Sequence, residues 1–169
     1  MSERAHATTV LLGERAVLIR GPSGTGKSSL ALTLLANPPA LPGASTPAPV
    51  RLVADDQTLL EARGGRLIAR PHPQLAGRIE MRGLGLLSVP FEPQAVVGLV
   101  VDRTEYSRLP SGEVLSVLIC GVNLPCIGVT LRESDPVGRI LLALRSLAQG
   151  PTTFGGCCDA NSCVQREEG

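Results

Sequence analysis

Aromatic residues are almost absent from the sequence, and neither sign of charge is in excess. Phe, Trp and Tyr make up 2% of the 169 residues, Trp does not occur, and 16 Lys and Arg face 15 Asp and Glu. So few aromatic side chains argue against the stacking surfaces that bind single-stranded nucleic acids. A balanced charge provides no basic field for nucleic acid or an anionic membrane. We therefore expect no nucleic acid and no membrane as a partner.

Long apolar runs are missing as well. No stretch approaches the roughly 20 consecutive apolar residues that a transmembrane helix needs, and residues 1–4 do not resemble the start of a secretory signal. These absences predict a cytoplasmic protein. With 43% hydrophobic residues, the chain has material for one core built from Leu, Val, Ile and Ala. We expect one folded domain over residues 1–150 and a disordered tail over residues 151–169.

The predicted tail contains three of the five cysteines, Cys157, Cys158 and Cys163. Their spacing does not repeat a CxxC pair, and no His lies nearby, whereas closed zinc sites use four well-spaced ligands. The favoured interpretation is a loose polar tail, with a metal site as the alternative.

The first half of the chain alternates short β-type runs with turn residues. Residues 8–12 and 16–19 flank Gly13-Glu14, which predicts a hairpin or two successive strands. A helical segment then covers residues 29–36 and ends at Asn37-Pro38-Pro39. The stretch 38–49 is rich in Pro, Ala, Gly and Ser, which predicts an exposed connection.

Further strands are predicted at residues 51–54, 58–61, 66–69, 96–101 and 114–119. The stretch 135–148 has apolar residues on one helical face, with Asp135 as the N-cap and Pro136 in the first turn. The predicted fold class is α/β, a single domain with a mixed β-sheet and few helices. The order of elements lacks the regular βαβ alternation of a doubly wound sheet.

Between the second strand and the first helix lies the sequence GPSGTGKS, a complete G-x-x-x-x-G-K-[ST] phosphate-binding loop. Its glycines let backbone N–H groups turn toward a phosphate, and the following helix N-terminus adds positive partial charge. Lys27 would bridge the β- and γ-phosphates of ATP, and the Ser28 hydroxyl would hold Mg²⁺. A plain glycine-rich turn is the alternative, but it has no need of a lysine at this offset. The residues predicted to bind the nucleotide are Gly21, Pro22, Ser23, Gly24, Thr25, Gly26, Lys27 and Ser28.

Such loops work with an acidic residue at the end of a neighbouring strand, and the sequence offers two candidates. Asp55-Asp56 follows the strand at 51–54, and Asp102 follows the apolar run at 96–101. Two adjacent carboxylates would point to opposite faces if the strand continued, so one could serve the metal and the other an acceptor. Asp102 favours an ordinary ATPase or small-molecule kinase, although it could equally be a turn residue.

Read in order, five landmarks resemble the bacterial HPr kinase/phosphorylase family. They are His6, the loop GPSGTGKS, the segment RLVADD, the segment IEMRGLGLL and the segment YSRL, at residues 6, 21–28, 51–56, 79–87 and 106–109. The E-x-R-G-x-G pattern at residues 80–85 makes the resemblance specific, since a phosphate-binding loop alone is common to many families. It implies a P-loop fold of the HPr kinase and phosphoenolpyruvate carboxykinase type.

The resemblance implies an ATP- and Mg²⁺-dependent kinase that phosphorylates a serine of an HPr-like phosphocarrier and can reverse the reaction with inorganic phosphate. Asp56 would be the base, Asp55 would lie beside it, and His6 would tune its ionisation. Arg108 would stabilise charge in the transition state. Lys27 would neutralise charge on the transferred group, and Ser28 and Glu80 would hold Mg²⁺.

The resemblance also implies a homo-oligomer, a hexamer in this family. Longer members carry an N-terminal regulatory domain, so the chain is expected to be a short form. Two positions depart from the family pattern: Ser88 stands where Asp is usual, and Glu133 and Asp135 would repel phosphate in the segment used for phosphorolysis. Kinase activity is thus the firmer expectation. A small-molecule kinase or ATPase, and a non-catalytic nucleotide sensor, are the alternatives.

Overall fold

The computed structural model describes residues 2–41, 43–104, 115–130 and 134–149. Among these residues, eleven strands and two helices are assigned, together with a short 3-10 turn at Pro73–Leu75. The strands are β1 (Ser2–Ala5), β2 (Ala7–Leu12), β3 (Arg15–Arg20), β4 (Val50–Ala54), β5 (Thr58–Arg63), β6 (Arg66–Pro71), β7 (Arg78–Met81), β8 (Gly85–Ser88), β9 (Ala95–Thr104), β10 (Ser116–Ile119) and β11 (Val122–Thr130). The helices are α1 (Lys27–Ala36) and α2 (Pro136–Gln149).

Nine of these strands form one mixed sheet, and β7 and β8 form a separate hairpin. The main path of the sheet runs β1-β5-β6-β9-β3-β2-β4, and β11 pairs with β9 and with β10. The pairs β3 with β9 and β9 with β11 are parallel, whereas β2 is antiparallel to both β3 and β4. Strands β3, β4 and β9 therefore run in the same direction and end at the same edge.

Two apolar layers cover the two faces of the sheet. Side chains that alternate along a strand divide between them: Val17 and Ile19 of β3 face the helices, while Ala16 and Leu18 face the other side. Because both faces are covered, the central strands are nearly continuous apolar runs. The first layer also contains Leu34 of α1 and residues of α2, so the helices pack on the face that carries the phosphate-binding loop.

Most of the predicted elements are confirmed. The hairpin of β2 and β3 turns at Gly13, α1 ends before Asn37, and β5 and β6 flank Gly64-Gly65. Helix α2 begins at Pro136, where the Oδ1 atom of Asp135 accepts a hydrogen bond of 2.8 Å from the backbone N–H of Gly138. This is the N-terminal cap that the sequence predicted. Within the described residues, neither helix has the length and apolar character of a membrane span.

Two details differ from expectation. Strand β9 continues past Asp102 to Thr104, so Asp102 is a strand residue and the interpretation as a turn residue is wrong. Strand β4 ends at Ala54, and both acids lie in the bend that follows, where Asp56 has a φ of 62°, so neither acid lies on a continuing strand. The expected role of Arg108 and the tail at 151–169 lie outside the described residues.

Candidate functional site

The loop between β3 and α1 has the backbone geometry that its glycines make possible. Gly24 and Gly26 have φ angles of 82° and 78°, in the left-handed region that glycine adopts without strain. A Cβ atom on Gly21 would lie 2.8 Å from the backbone oxygen of Arg103, so this position has room for glycine alone. Helix α1 begins directly after Gly26, and its first backbone N–H groups lie at the loop.

Lys27 is buried within this loop and is held by its carbonyl groups. Its Nζ atom donates hydrogen bonds to the backbone oxygens of Gly21 at 2.9 Å and Pro22 at 3.2 Å. Thr25 stabilises the loop, since its Oγ1 donates a hydrogen bond to the same backbone oxygen of Pro22 at 2.8 Å. Gly21, Pro22 and Thr25 thus shape the loop and position the ammonium group.

The loop borders a cleft of about 830 Å³. Its lining combines the loop, one side of α1, the ends of β4 and the hairpin of β7 and β8. The polar and charged side chains in the lining are those of Ser23, Lys27, Ser28, Ser29, Thr33, Asn37, Asp55, Asp56, Arg78, Glu80 and Arg82. The structure therefore brings predicted nucleotide, metal and acid residues from three segments, the loop, the end of β4 and β7, to one concave surface.

Asp55 is buried at the base of the cleft and accepts three hydrogen bonds. Its Oδ1 atom accepts from the hydroxyls of Thr8 and Ser28, both at 2.8 Å. Its Oδ2 atom accepts from the backbone N–H of Glu80 at 3.1 Å. These donors fix both oxygens of the carboxylate, and the hydrogen of the Ser28 hydroxyl points toward Asp55.

Asp56 lies beside this group and faces solvent, with 62% of its side chain exposed. Its Oδ1 atom is 3.1 Å from Nδ1 of His6, and Nε2 of the same ring is 3.1 Å from Nζ of Lys27. Because an ammonium group can only donate, Nε2 accepts and the ring proton lies on Nδ1, directed at Asp56. His6 therefore connects the lysine of the phosphate-binding loop to the exposed acid.

Asp102, the other candidate acid, is engaged elsewhere. Its two carboxylate oxygens accept from Nε and one terminal nitrogen of Arg20, both at 2.8 Å. Both residues are buried, and they are register partners in the parallel pair of β3 and β9. A bidentate ion pair of this kind occupies the carboxylate. Asp102 is therefore not placed to serve the cleft.

Arg103 and Thr8 also support the site, although the sequence pattern did not single them out. Arg103 is buried behind the loop, where Nε donates to the backbone oxygen of Thr25 at 3.1 Å and one terminal nitrogen donates to that of Thr130 at 3.3 Å. Thr8 is completely buried and bonded to Asp55. The one sequence signal for Arg103 is a basic residue in an apolar strand, and Thr8 reads as an ordinary strand residue because threonine favours strands.

The residues of the cleft fit ATP and Mg²⁺. The loop offers backbone N–H groups and a lysine to phosphate. The space beside Gly24 is open, since among the described residues a Cβ atom added there would have a terminal nitrogen of Arg82, at 3.7 Å, as its one close neighbour. Ser28 and Glu80 provide oxygen ligands of the kind that Mg²⁺ prefers, Asp55 is bonded to the Ser28 hydroxyl, and all three residues line the cleft.

Comparison with known proteins agrees with this geometry. The model of the HPr Serine kinase C-terminal domain family matches residues 1–92, more than half of the chain. The chain belongs to this family.

Curated relatives of the chain carry the name HPr kinase/phosphorylase in different bacteria. The HPr kinase/phosphorylase of Mycoplasma mycoides subsp. mycoides is 32% identical over 110 residues, which are 61% of the chain and 32% of the relative. That of Clostridium beijerinckii is 29% identical over 154 residues, which are 83% of the chain and 47% of the relative. The chain thus spans less than half the length of these relatives.

A solved structure confirms the fold class of the chain. The Hpr(Ser) kinase/phosphatase from Coxiella burnetii superposes with a TM-score of 0.70, at 23% sequence identity, over 87% of the chain and 98% of the solved chain. The fold is the mixed α/β P-loop kinase fold that the resemblance implied.

Proposed function

We propose that this domain transfers the γ-phosphoryl group of ATP to a serine hydroxyl of an HPr-like phosphocarrier protein in the cytoplasm. Residues 1–150 would form the catalytic domain. The serine oxygen bonds to the γ-phosphorus, the bond from that phosphorus to the bridging oxygen of ADP breaks, and Asp56 accepts the hydroxyl proton. The position of Asp56 supports this role because its carboxylate lies at the cleft and is open to a protein acceptor.

The phosphate-binding loop would hold the nucleotide. Its backbone N–H groups and Lys27 would bind the β- and γ-phosphates, in place of the loop carbonyls that Lys27 now contacts. Mg²⁺ held by Ser28 and Glu80, with Asp55 bonded to the Ser28 hydroxyl, would offset negative charge on the phosphates. Arg108 remains a predicted transition-state residue.

The single observation that carries the proposal is the chain of contacts Lys27, His6 and Asp56. It connects the residue that would bind the transferred phosphoryl group to the residue that would take the proton, through two contacts of 3.1 Å. A nucleotide sensor without catalysis has no need of such a connection. An ATPase built on Asp102 would require a carboxylate that Arg20 already binds.

The test is incubation with labelled ATP, Mg²⁺ and a purified HPr-like protein, followed by mapping of the labelled side chain. We expect label on serine, and Asp56→Asn should lower transfer by about 10²–10⁴-fold, the range for a general base, while ATP binding stays near that of the unchanged protein. Glu14→Gln is the matched control, because it also removes one exposed carboxylate but lies in the turn before β3, at the opposite edge of the sheet.

Two outcomes would count against the proposal: no labelling of the acceptor, or full transfer by the Asp56→Asn variant. The reverse reaction can be checked with the phosphorylated carrier and inorganic phosphate, which should give the carrier with an unmodified serine hydroxyl, and pyrophosphate. Homo-oligomer formation, proposed from the family resemblance, is measured separately by light scattering.

A further inference from the structure

Thr8 of β2 is buried beneath the cleft with its hydroxyl directed at an acid of the site. No part of Thr8 is exposed to solvent, and its Oγ1 donates to Oδ1 of Asp55 at 2.8 Å. A buried hydroxyl normally finds a partner. Thr8 has a carboxylate oxygen as its partner, and that same oxygen accepts the hydroxyl of Ser28.

The two hydroxyls share one oxygen, and this fixes the geometry of Ser28. Because Thr8 and the backbone N–H of Glu80 hold the two oxygens of Asp55 from different directions, the carboxylate cannot rotate freely. Asp55 then holds the Ser28 hydroxyl hydrogen, and the lone pairs of Ser28 are left for a cation in the cleft.

We propose that Thr8 is a positioning residue for the Mg²⁺ site: it orients Asp55, and through Asp55 it orients the Ser28 hydroxyl that binds the cation. This rests on the proposed function only in taking ATP with Mg²⁺ as the ligand. Thr8 does not touch the nucleotide or the metal. Groups that orient metal ligands in this way typically contribute 10–100-fold to metal affinity or activity.

The next residue on the same strand offers a matched control. Thr9 is also completely buried, but it faces the other side of the sheet, where its Oγ1 lies 2.9 Å from Oγ1 of Thr58. Thr58 in turn donates to the backbone oxygen of Ala7. Thr9→Val therefore removes a buried hydroxyl from the same strand without changing the donors of Asp55.

The experiment measures the dissociation constant of ATP by calorimetry, with Mg²⁺ in excess and with EDTA, for the full chain and its variants. In Thr8→Val, the strengthening of ATP binding by Mg²⁺ should fall by about tenfold or more, while binding in EDTA stays unchanged. Thr8→Ser keeps the hydroxyl and should retain the Mg²⁺ effect. Thr9→Val should also retain it.

The proposal is overturned if Thr8→Val keeps the full Mg²⁺ effect, or if Thr9→Val loses it equally. Thermal unfolding checks that each variant is folded. Should Thr8→Val not fold, Thr8→Ala removes the same hydroxyl and carries the same expectation. ATP binding is measured without an acceptor protein and is therefore independent of phosphoryl transfer. If Mg²⁺ strengthens ATP binding as expected but the separate transfer assay shows no labelled acceptor, the proposed function is refuted and the role of Thr8 still holds.

Discussion

The carboxyl ends of β4 and β9 share a sequence pattern, an apolar run followed by aspartate, and the fold gives the two aspartates opposite surroundings. Asp55 lies at the base of the cleft and accepts hydrogen bonds from the hydroxyls of Thr8 and Ser28. Asp102 is bound on both oxygens by Arg20. The neighbouring strand decides the difference, since β2 supplies a neutral hydroxyl beside Asp55 and β3 supplies a guanidinium beside Asp102. An acid at a strand end is therefore a metal-site candidate only when no neighbouring cation already neutralises its charge.

Removing each carboxylate in turn should give the largest difference, and the quantity that differs is the rate of phosphoryl transfer. Asp55→Asn should lower phosphoryl transfer by about 10²–10³-fold, because the proposed Mg²⁺ site would lose the carboxylate that holds Ser28 and balances the charge of the cation. Asp102→Asn should leave transfer per folded molecule close to that of the unchanged protein, since Asp102 does not reach the cleft. Single-turnover rates at low temperature, corrected for the folded fraction from circular dichroism, provide the measurement. An equal loss in both variants would remove the distinction between the two strand ends.

The loss of stability should follow the reverse order, with Asp102→Asn more destabilising than Asp55→Asn. Asp102→Asn leaves the buried guanidinium of Arg20 without its counter-charge, and breaking a buried pair in this way costs about 3–5 kcal/mol. Asp55→Asn retains one acceptor oxygen for the hydroxyls and should cost about 1–2 kcal/mol. Urea unfolding of both variants, monitored by circular dichroism, measures the two free energies of unfolding. A larger loss for Asp55→Asn would contradict the assignment of Asp102 to a structural role.

The double variant Arg20→Met with Asp102→Leu tests whether the pair of Arg20 and Asp102 has a structural role alone. Replacing both members of a buried ion pair by apolar residues of similar volume is often neutral or stabilising. We therefore expect the double variant to recover most of the stability lost in Asp102→Asn and to retain phosphoryl transfer. If stability returns while transfer stays low, the pair also shapes the loop that begins directly after Arg20.

Local features of this fold were predictable from the sequence. The turn at Gly13, the phosphate-binding loop and the cap of α2 depend on residues within a few positions of one another, and their backbone requirements show in the residue types. The position of Asp55-Asp56 at the end of a strand was predictable for the same reason.

The local sequence pattern did not choose between the two acids, and only the family resemblance favoured Asp55-Asp56. The Arg20 to Asp102 pair joins residues 82 positions apart, and the Thr8 to Asp55 hydrogen bond spans 47 positions. Both depend on which strands are neighbours in the sheet, and strand order is set by long-range packing. His6 was assigned a role by resemblance alone, and the two contacts that give it a physical basis appear only in the folded chain.

The smallest expected effect concerns Arg103, which follows Asp102 on β9 and links this strand end to the phosphate-binding loop. Arg103→Ala removes the donors to the backbone oxygens of Thr25 and Thr130, and the loop should hold its shape less firmly. We expect ATP to bind about tenfold more weakly, since one or two hydrogen bonds contribute about 1.4 kcal/mol. Arg103→Lys should give an intermediate value, because a lysine has no guanidinium fork to reach both oxygens. Calorimetry measures the affinities, with Arg66→Ala as an exposed control, and unchanged binding in Arg103→Ala would show that the β9 end contributes to the fold alone.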